Sequence, residues 1–206
     1  MLLNIHPENP SERKLQQVIR VLEQGGVIIY PTDTVYALGC DIKSKKGLER
    51  LARIRGVNPQ KARFSFICSG ISQVAEYSAQ IDNEIFRLMK QHLPGPFTFI
   101  LKAGNQVPKL LHGKRASIGV RVPSNNIPLR IVENLGRPII TASLKNDEDN
   151  FLEYLTDAQD ILDQFGKRVD IVIDGGPGGT EGSTVIDCTT DPPELIRQGI
   201  GEIELL

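Results

Sequence analysis

The sequence predicts an α/β protein in which helices pack against a mixed β-sheet. Short apolar runs that suit buried strands alternate along the chain with amphipathic segments of helical spacing, and this alternation is typical of α/β layers. The final predicted strands are short, which favours a mixed sheet over a purely parallel one.

The first half of the chain predicts four helices and three strands. Residues 11–23 have helical spacing, with an apolar face formed by Leu15, Val18, Ile19 and Leu22. Two glycines at positions 25 and 26 end this helix, and the apolar run at 27–30 predicts a buried strand. Further helices are predicted at 47–55, 71–77 and 83–92, and strands at 64–68 and within 94–101.

The second half continues the alternation. Strands are predicted at 117–122, 139–142, 171–174, 184–188 and 195–197, and helices at 129–135 and 157–165. Residues 144–155 are polar and acidic, and we expect them to form an exposed loop. No repeat or linker divides the chain, so residues 1–206 are predicted to form a single domain.

Composition excludes several classes of protein. A chain of 206 residues with 40% hydrophobic content is long and apolar enough for a real core. No apolar run approaches the roughly 18 residues that a membrane-spanning helix needs, and the N-terminus has no signal-peptide pattern. Three cysteines without a C-x-x-C pair argue against a disulfide scaffold or a structural metal site. We therefore expect a cytoplasmic protein with no tightly bound metal.

The net charge of −1 conceals a strong asymmetry along the chain. Residues 1–145 contain 21 Lys and Arg against 10 Asp and Glu, whereas residues 146–206 contain 3 against 15. The basic excess is densest between positions 45 and 63, where it includes Arg50, Arg53, Lys61 and Arg63. Two interpretations are open: two solvated faces of opposite charge, or a basic concave surface for phosphates or nucleic acid.

An unusual cluster of polar side chains follows the strand at 27–30. The stretch 31-PTDTVYALG-39 places two threonines and an aspartate where an α/β sheet commonly binds ligands, beyond the end of a strand. These side chains suit a cradle for a small polar substrate. They equally suit a turn in which Thr32 and Asp33 bond to backbone N–H groups.

Three other features suit anion binding, although each also has a structural explanation. The loop 175-GGPGGTEGS-183 is glycine-rich, so its backbone can approach a phosphate, but it lacks the Lys-Ser/Thr ending of a Walker A loop. Arg121 and Arg197 lie in apolar strand contexts. Facing a cavity, their planar guanidinium groups would bind a carboxylate or phosphate; otherwise they would pair within the fold.

The motifs, taken in chain order, resemble the YrdC-like threonylcarbamoyl-AMP synthase family. They are Tyr-Pro-Thr-Asp-Thr-x-Tyr-x-Leu-Gly at 30–39, Pro-Gly-Pro-x-Thr at 94–98, Gly-x-Arg-x-Pro at 119–123, Pro-x-x-x-x-Ser at 138–143, Ser-Thr-x-x-Asp at 183–187 and Arg-x-Gly at 197–199. The stretches 37-ALGC-40, 53-RIRG-56 and 121-RVPSN-125 look like the YciO branch of this family.

The resemblance implies a twisted open sheet with a deep, positively charged concave face. It implies ATP with Mg²⁺, threonine and bicarbonate as substrates, threonylcarbamoyl-adenylate and pyrophosphate as products, and a link to tRNA threonylcarbamoyladenosine. Threonine would bind to Thr34 and, through its carboxylate, to Arg121. The nucleotide and its phosphates would contact Arg55, Thr98, Ser143, Thr184 and Arg197.

The sequence departs from the synthases at two motifs. Their Lys-x-Arg pair is here 55-RGV-57, so Arg55 replaces the lysine and Val57 the arginine, although a Lys-x-Arg occurs at 61–63. Their Ser-x-Asn pair is here 143-SLK-145, so Lys145 replaces the asparagine. Cations aimed at developing phosphate charge are worth several orders of magnitude in rate. We therefore expect the ligand cavity to persist with a weak synthase reaction.

A non-catalytic role in RNA binding is the alternative. A basic concave surface suits double-stranded or structured RNA, including tRNA, because duplex recognition reads backbone shape and charge. The chain has no tryptophan and only 5% aromatic residues, which disfavours base stacking on single strands. The residues assigned to this surface are Arg50, Arg53, Lys61 and Arg63.

Overall fold

The computed structural model describes residues 1–59, 62, 64–108, 111, 117–144 and 154–204. The helices in these ranges are α1 (Glu12–Glu23), α2 (Lys45–Ile54), α3 (Ile71–Tyr77), α4 (Asn83–His92), α5 (Asn126–Leu135) and α6 (Ala158–Phe165). The strands are β1 (Leu2–Asn4), β2 (Ile28–Tyr30), β3 (Ala37–Asp41), β4 (Ser65–Ile67), β5 (Phe97–Lys102), β6 (Ser117–Arg121), β7 (Ile139–Ser143), β8 (Ile171–Asp174), β9 (Thr184–Asp187) and β10 (Glu194–Arg197).

All ten strands belong to one mixed sheet in the order β1-β8-β2-β3-β7-β4-β6-β5-β9-β10. The pairs β1–β8, β2–β8, β4–β6 and β5–β9 are parallel, and the other five pairs are antiparallel. The predicted mixed α/β sheet is therefore confirmed.

Apolar side chains cover the sheet on both faces. The larger core contains Leu38, Phe66, Phe99 and Ile140, together with apolar residues of α2, α3, α4 and α6. The smaller core, on the opposite face, contains Ile28, Tyr30, Ile67 and Ile139 with residues of α1 and α5. Further along this second face the sheet is less covered. Four residues aligned across neighbouring strands are only half-buried there: Ser65 of β4, Gly119 of β6, Ile100 of β5 and Asp187 of β9.

Two strands were not predicted from the sequence. β1 is a three-residue strand that pairs with β8, 170 positions away. β3, with the sequence ALGCD, contains no β-branched or aromatic residue, yet it lies fully buried between β2 and β7. Its conformation comes from pairing on both sides, and a side chain at Gly39 would meet the ring of Tyr30 at 2.7 Å.

Element boundaries differ most at α5, which begins three residues before the predicted start at 129. The side chain of Asn125 accepts a hydrogen bond from the N–H of Ile127 (3.0 Å), which caps the helix, and Pro128 is tolerated in the first turn. Most of the predicted exposed loop, residues 145–153, lies outside the described residues. No described helix is long and apolar enough to cross a membrane.

Candidate functional site

The turn between β2 and β3 is held together by Thr32. Its hydroxyl donates to the carbonyl of Val35 (2.7 Å) and accepts from the N–H of Thr34 (3.1 Å). The hydroxyl of Thr34 lies 3.0 Å from that of Thr32. Both threonines are buried. Thr32 therefore has the turn-forming role, while Thr34 directs its hydroxyl toward the end of β6.

Arg121, the last residue of β6, forms the charged centre of the site. Its Nη2 donates to Asp33 Oδ1 (2.8 Å) and to Thr34 Oγ1 (3.1 Å), and the other oxygen of Asp33 accepts from the N–H of Ser124 (2.9 Å). The side chains of Arg121 and Asp33 are only 7% and 9% exposed. Thr34 and Arg121, predicted to bind one substrate, are thus in direct contact.

One donor of this guanidinium is unsatisfied. Nε of Arg121 is buried and has no hydrogen-bond partner among the described residues. Burial lowers the pKa of Arg121, and the charge of Arg197 acts in the same direction, while the Asp33 carboxylate opposes both. A buried N–H without a partner costs about 1–3 kcal/mol, and more for a charged group. An anionic ligand that accepts from Nε removes this cost.

A second cluster of hydroxyls surrounds the start of β9. Thr98 of β5 and Ser183 are buried, and their hydroxyls lie 2.8 Å apart. Arg197 donates to the carbonyl of Ser183 from Nε (3.2 Å) and Nη2 (2.6 Å). Its Nη1 makes no hydrogen bond among the described residues, and the residue is exposed. Arg197 therefore has donors available for a ligand.

Thr184 has its hydroxyl fully used within the fold. The side chain is completely buried, its hydroxyl donates to the carbonyl of Gly201 (2.5 Å), and it accepts from the N–H of Gly199 (3.0 Å). These bonds attach the C-terminal segment to β9. Thr184 thus holds the backbone beside Ser183 and Arg197 in place.

The glycine-rich loop, residues 175–183, packs directly on the turn between β2 and β3, residues 31–36, which is called the substrate turn below because Thr34 is predicted to bind threonine. The N–H of Gly179 donates to the carbonyl of Thr34 (2.7 Å), and a Cβ at Gly179 would lie only 2.2 Å from that oxygen. A Cβ at Gly178 would meet the ring of Tyr36 at 2.6 Å. Glycine is therefore required at position 179 by the backbone of Thr34 and at position 178 by the ring of Tyr36, and the sequence alone did not reveal either contact.

Tyr36 fastens the other end of this loop. Its hydroxyl donates to the carbonyl of Gly176 (2.7 Å), and burial raises the pKa of Tyr36 to about 12. We expect Tyr36→Phe to lower the free energy of unfolding by about 1–2 kcal/mol, because the carbonyl loses its donor. Urea unfolding at pH 7 measures this change.

The pH dependence of the free energy of unfolding tests the burial of the Tyr36 hydroxyl independently. Between pH 10 and about 12 the unfolded chain releases the phenol proton before the folded chain does, so stability falls as pH rises. The free energy of unfolding of Tyr36→Phe should therefore fall less between pH 10 and about 12 than that of the wild type, because phenylalanine has no proton to release. Equal stability of the two proteins at pH 7 would contradict the role given to this bond.

The remaining predicted site residues lie around these clusters or outside the described chain. Ser143 is half-buried and pairs with Ala37 at the end of the β3–β7 ladder, next to the substrate turn. Arg55 is half-buried at the C-terminal cap of α2, and Val57 is 40% exposed. Among the described residues, no hydrogen bond or ion pair joins Arg55 to the Arg121 cluster. Lys61, Arg63 and Lys145 lie outside the described residues.

Two arginines assigned to an RNA surface lie on α2. Arg53 is exposed, whereas Arg50 donates from Nη1 to Asp170 (2.7 Å) and from Nη2 to the carbonyl of Arg168 (3.4 Å). Asp170 also accepts from the N–H of Val27 (2.7 Å). Arg50 therefore links α2 to the segment before β8, and this leaves it less available to a phosphate backbone.

Sequence reasoning predicted Arg121 and Thr34 as ligands of threonine. It included Asp33 only in a polar cradle or turn, and Ser183 only as a hydroxyl of the glycine-rich loop. Asp33 orients Arg121, and Ser183 connects Thr98 with Arg197. The sequence did contain an indication for Asp33: it lies between two threonines of a polar motif, and a carboxylate there is a suitable partner for the arginine predicted at the same site. Among the described residues, no group of three His, Cys, Asp or Glu side chains could hold a metal ion.

The model of the Sua5/YciO/YrdC family, described as telomere recombination, matches residues 20–199. The uncharacterized protein YciO of Escherichia coli K12 is 44% identical over 201 residues, covering 97% of this chain and 96% of that protein. A threonylcarbamoyl-AMP synthase of Methylobacillus flagellatus is 32% identical over 178 residues, covering 86% of this chain and 95% of the relative.

Solved structures agree with these matches. The crystal structure of E. coli YciO has a TM-score of 0.92 at 42% identity and covers 100% of this chain and 99% of its own. The crystal structure of Pyrococcus abyssi Sua5 complexed with L-threonine has a TM-score of 0.87 at 28% identity. It covers 97% of this chain, which spans only 57% of the length of the P. abyssi protein.

Proposed function

The chain belongs to the Sua5/YciO/YrdC family, and we propose that it binds L-threonine and ATP in the site described above and forms threonylcarbamoyl-AMP slowly. The family includes threonylcarbamoyl-AMP synthases, and one member, P. abyssi Sua5, has been crystallised with L-threonine. Membership supports the family role. The assignment of individual residues in this chain is our proposal.

The buried, unsatisfied Nε of Arg121 is the observation that best supports threonine binding. Asp33 holds the guanidinium from one side, so its orientation is fixed before a ligand arrives. Once the atoms that cover Nε move aside, the carboxylate of threonine can accept from it and complete the hydrogen bonding of the arginine. Thr34 Oγ1, already 3.1 Å from Nη2, would contact the same ligand.

The reaction requires two bond-forming steps. The amino group of threonine adds to bicarbonate with loss of water, which gives a carbamate. A carbamate oxygen then attacks the α-phosphorus of ATP, and the bond to pyrophosphate breaks. Mg²⁺ enters with ATP as part of that substrate. The protein contributes positioning of the two substrates and cations for the phosphate charge.

The nucleotide side of the site is assigned to the second cluster. Arg197, whose Nη1 has no hydrogen bond to the described residues, and the hydroxyl of Thr98 suit the phosphates, and Thr184 acts through the backbone that it fixes. Ser143 lies near the substrate turn at the end of β7. Arg55 would supply a cation where the synthases have lysine.

The substitutions relative to the synthases predict slow turnover. Val57 is an exposed aliphatic side chain at the position of a family arginine, so one cation aimed at the phosphates is missing. Loss of such an arginine is worth about 10³-fold or more in rate. Lys145 adds a charge but lacks the amide geometry of asparagine.

We expect the triple variant Arg55→Lys, Val57→Arg, Lys145→Asn to form threonylcarbamoyl-AMP at least about 100-fold faster than the wild type. Pyrophosphate release with ATP, threonine and bicarbonate measures the rate, and mass spectrometry identifies the adenylate. Arg87→Lys combined with Lys90→Asn, on exposed positions of α4, is a matched control and should not change the rate. Absence of the adenylate from both wild type and triple variant would contradict the proposed chemistry.

The comparisons favour the synthase role over RNA binding. In addition, Arg50 is paired with Asp170, which reduces the charge available on that side of α2. Binding of RNA at the surface assigned to Arg53, Lys61 and Arg63 stays a prediction, and its signature would be an affinity that falls steeply with added salt.

A further inference from the structure

An open cavity with a basic lining lies away from the candidate site, between the end of α1 and the start of α2. Its volume is about 410 Å³. Four cationic side chains and two carboxylates line it: Lys43, Lys45, Lys46 and Arg137, with Glu23 and Asp41. The cavity therefore has a net charge of +2 from its own lining.

Arg137 pairs with both carboxylates, and these three groups together have a net charge of −1. This arginine donates to Asp41 from Nε (2.9 Å) and Nη2 (2.6 Å), and its Nη2 lies 3.7 Å from Glu23. Its Nη1 donates to the carbonyl of Leu135 (3.1 Å). Arg137 is only 19% exposed, and these hydrogen bonds hold it in the cavity wall. The excess positive charge belongs to the lysines.

These lysines have little compensation from the protein. Lys45 has a partner in Glu49 at 3.8 Å, but both side chains are largely exposed, and such pairs contribute little. No ion pair involves Lys43 or Lys46 among the described residues. Lys45 and Lys46 also occupy the first turn of α2, which contains no acidic residue, and cations are disfavoured there by the helix dipole.

The side chains of Ser44 and Lys46, at the start of α2, lie close to Gly25 at the end of α1. A Cβ at Gly25 would lie 2.9 Å from Ser44 Oγ and 3.2 Å from Lys46 Cδ, so the aliphatic part of Lys46 packs against this glycine. Gly25 has a φ of +80°, which glycine adopts without strain. The aliphatic part of Lys46 therefore contacts the end of α1, although the residue is exposed.

We propose that this cavity is a binding site for a phosphate group. A dianion matches the excess charge of +2, and lysine ammonium groups bind phosphate as point charges. The cavity is separate from the candidate site, because Asp41 ends β3 whereas Ala37, beside the substrate turn, begins it. Four residues of strand span about 13 Å. The phosphate source is either an inorganic anion or the phosphate of a nucleotide.

Titration of ¹⁵N-labelled protein with pyrophosphate, phosphate and AMP tests this proposal, with each solution matched in ionic strength by NaCl. We expect saturable shifts of the amide signals of Gly25 and Gly47, whereas Gly182 and Gly199 report the candidate site. Equal affinity for phosphate and AMP identifies the phosphate alone as the recognised group. Tighter binding of AMP identifies a nucleotide as the source.

The double variant Lys43→Gln, Lys46→Gln should weaken these shifts at least tenfold in affinity and leave the Gly182 and Gly199 responses unchanged. Lys90→Gln with Lys167→Gln removes the same charge from exposed positions elsewhere and should retain wild-type affinity. The proposal is overturned if NaCl alone produces the Gly25 and Gly47 shifts, if the anions produce none, or if the double variant binds as the wild type does.

Discussion

Replacing Arg121 by glutamine is expected to weaken L-threonine binding by roughly 30-fold or more. A hydrogen bond to a charged group contributes about 1.5–3 kcal/mol, and about 2 kcal/mol corresponds to that factor. Glutamine retains a donor near Thr34 but lacks the charge and the Nε donor that we assign to the substrate carboxylate. Isothermal titration calorimetry measures the change in affinity.

The interpretation of this variant depends on Asp33. Removing one partner of a buried ion pair costs about 3–5 kcal/mol, because the other charge is left buried, and Asp33 is only 9% exposed. The double variant Arg121→Gln, Asp33→Asn removes both charges and should recover stability in urea unfolding while still binding threonine weakly. Arg130→Gln, which removes an exposed arginine of α5, is the matched control. Wild-type threonine affinity in the folded double variant would refute the role of Arg121.

Gly179→Ala is expected to lower the free energy of unfolding by about 1–3 kcal/mol and to weaken threonine binding at the same time. The added Cβ would lie 2.2 Å from the carbonyl oxygen of Thr34, so the loop must move away from the substrate turn. The bond from the Gly179 N–H to that oxygen, now 2.7 Å, would lengthen or break. Urea unfolding and threonine titration measure the two effects.

Gly70→Ala is the control for this substitution. A Cβ at Gly70 meets nothing within 4 Å, and its backbone is extended, so alanine is tolerated there. If Gly179→Ala leaves both stability and threonine affinity at the values of Gly70→Ala, the loop does not support the turn as the structure indicates.

The sequence predicted those parts of the fold that depend on local pattern. The apolar face of α1 and the apolar run of β2 are visible within a few residues of chain. β3 was missed because its strand conformation depends on pairing with β7, about 100 positions away, and its own residues have low strand propensity.

The same limit applies to the site. Arg121 and Thr34 were predicted through their motifs, but the partner that orients Arg121 is Asp33, 88 positions away. The basic cluster at positions 45–63 was interpreted from charge alone, and the pairing of Arg50 with Asp170 across 120 positions could not be predicted from it. Contacts of this kind become visible only when the sheet order is known.

A comparison of L-threonine with L-threoninamide as ligands of the wild-type protein tests whether Arg121 binds the substrate carboxylate. The two molecules differ only in replacement of the carboxylate by a neutral amide, so the comparison isolates the group that we assign to Arg121. Titration calorimetry should give a saturable signal for threonine and an affinity at least 30-fold lower for threoninamide. Equal affinity for the two, or no binding of threonine, would contradict the assignment of Arg121 to the substrate carboxylate.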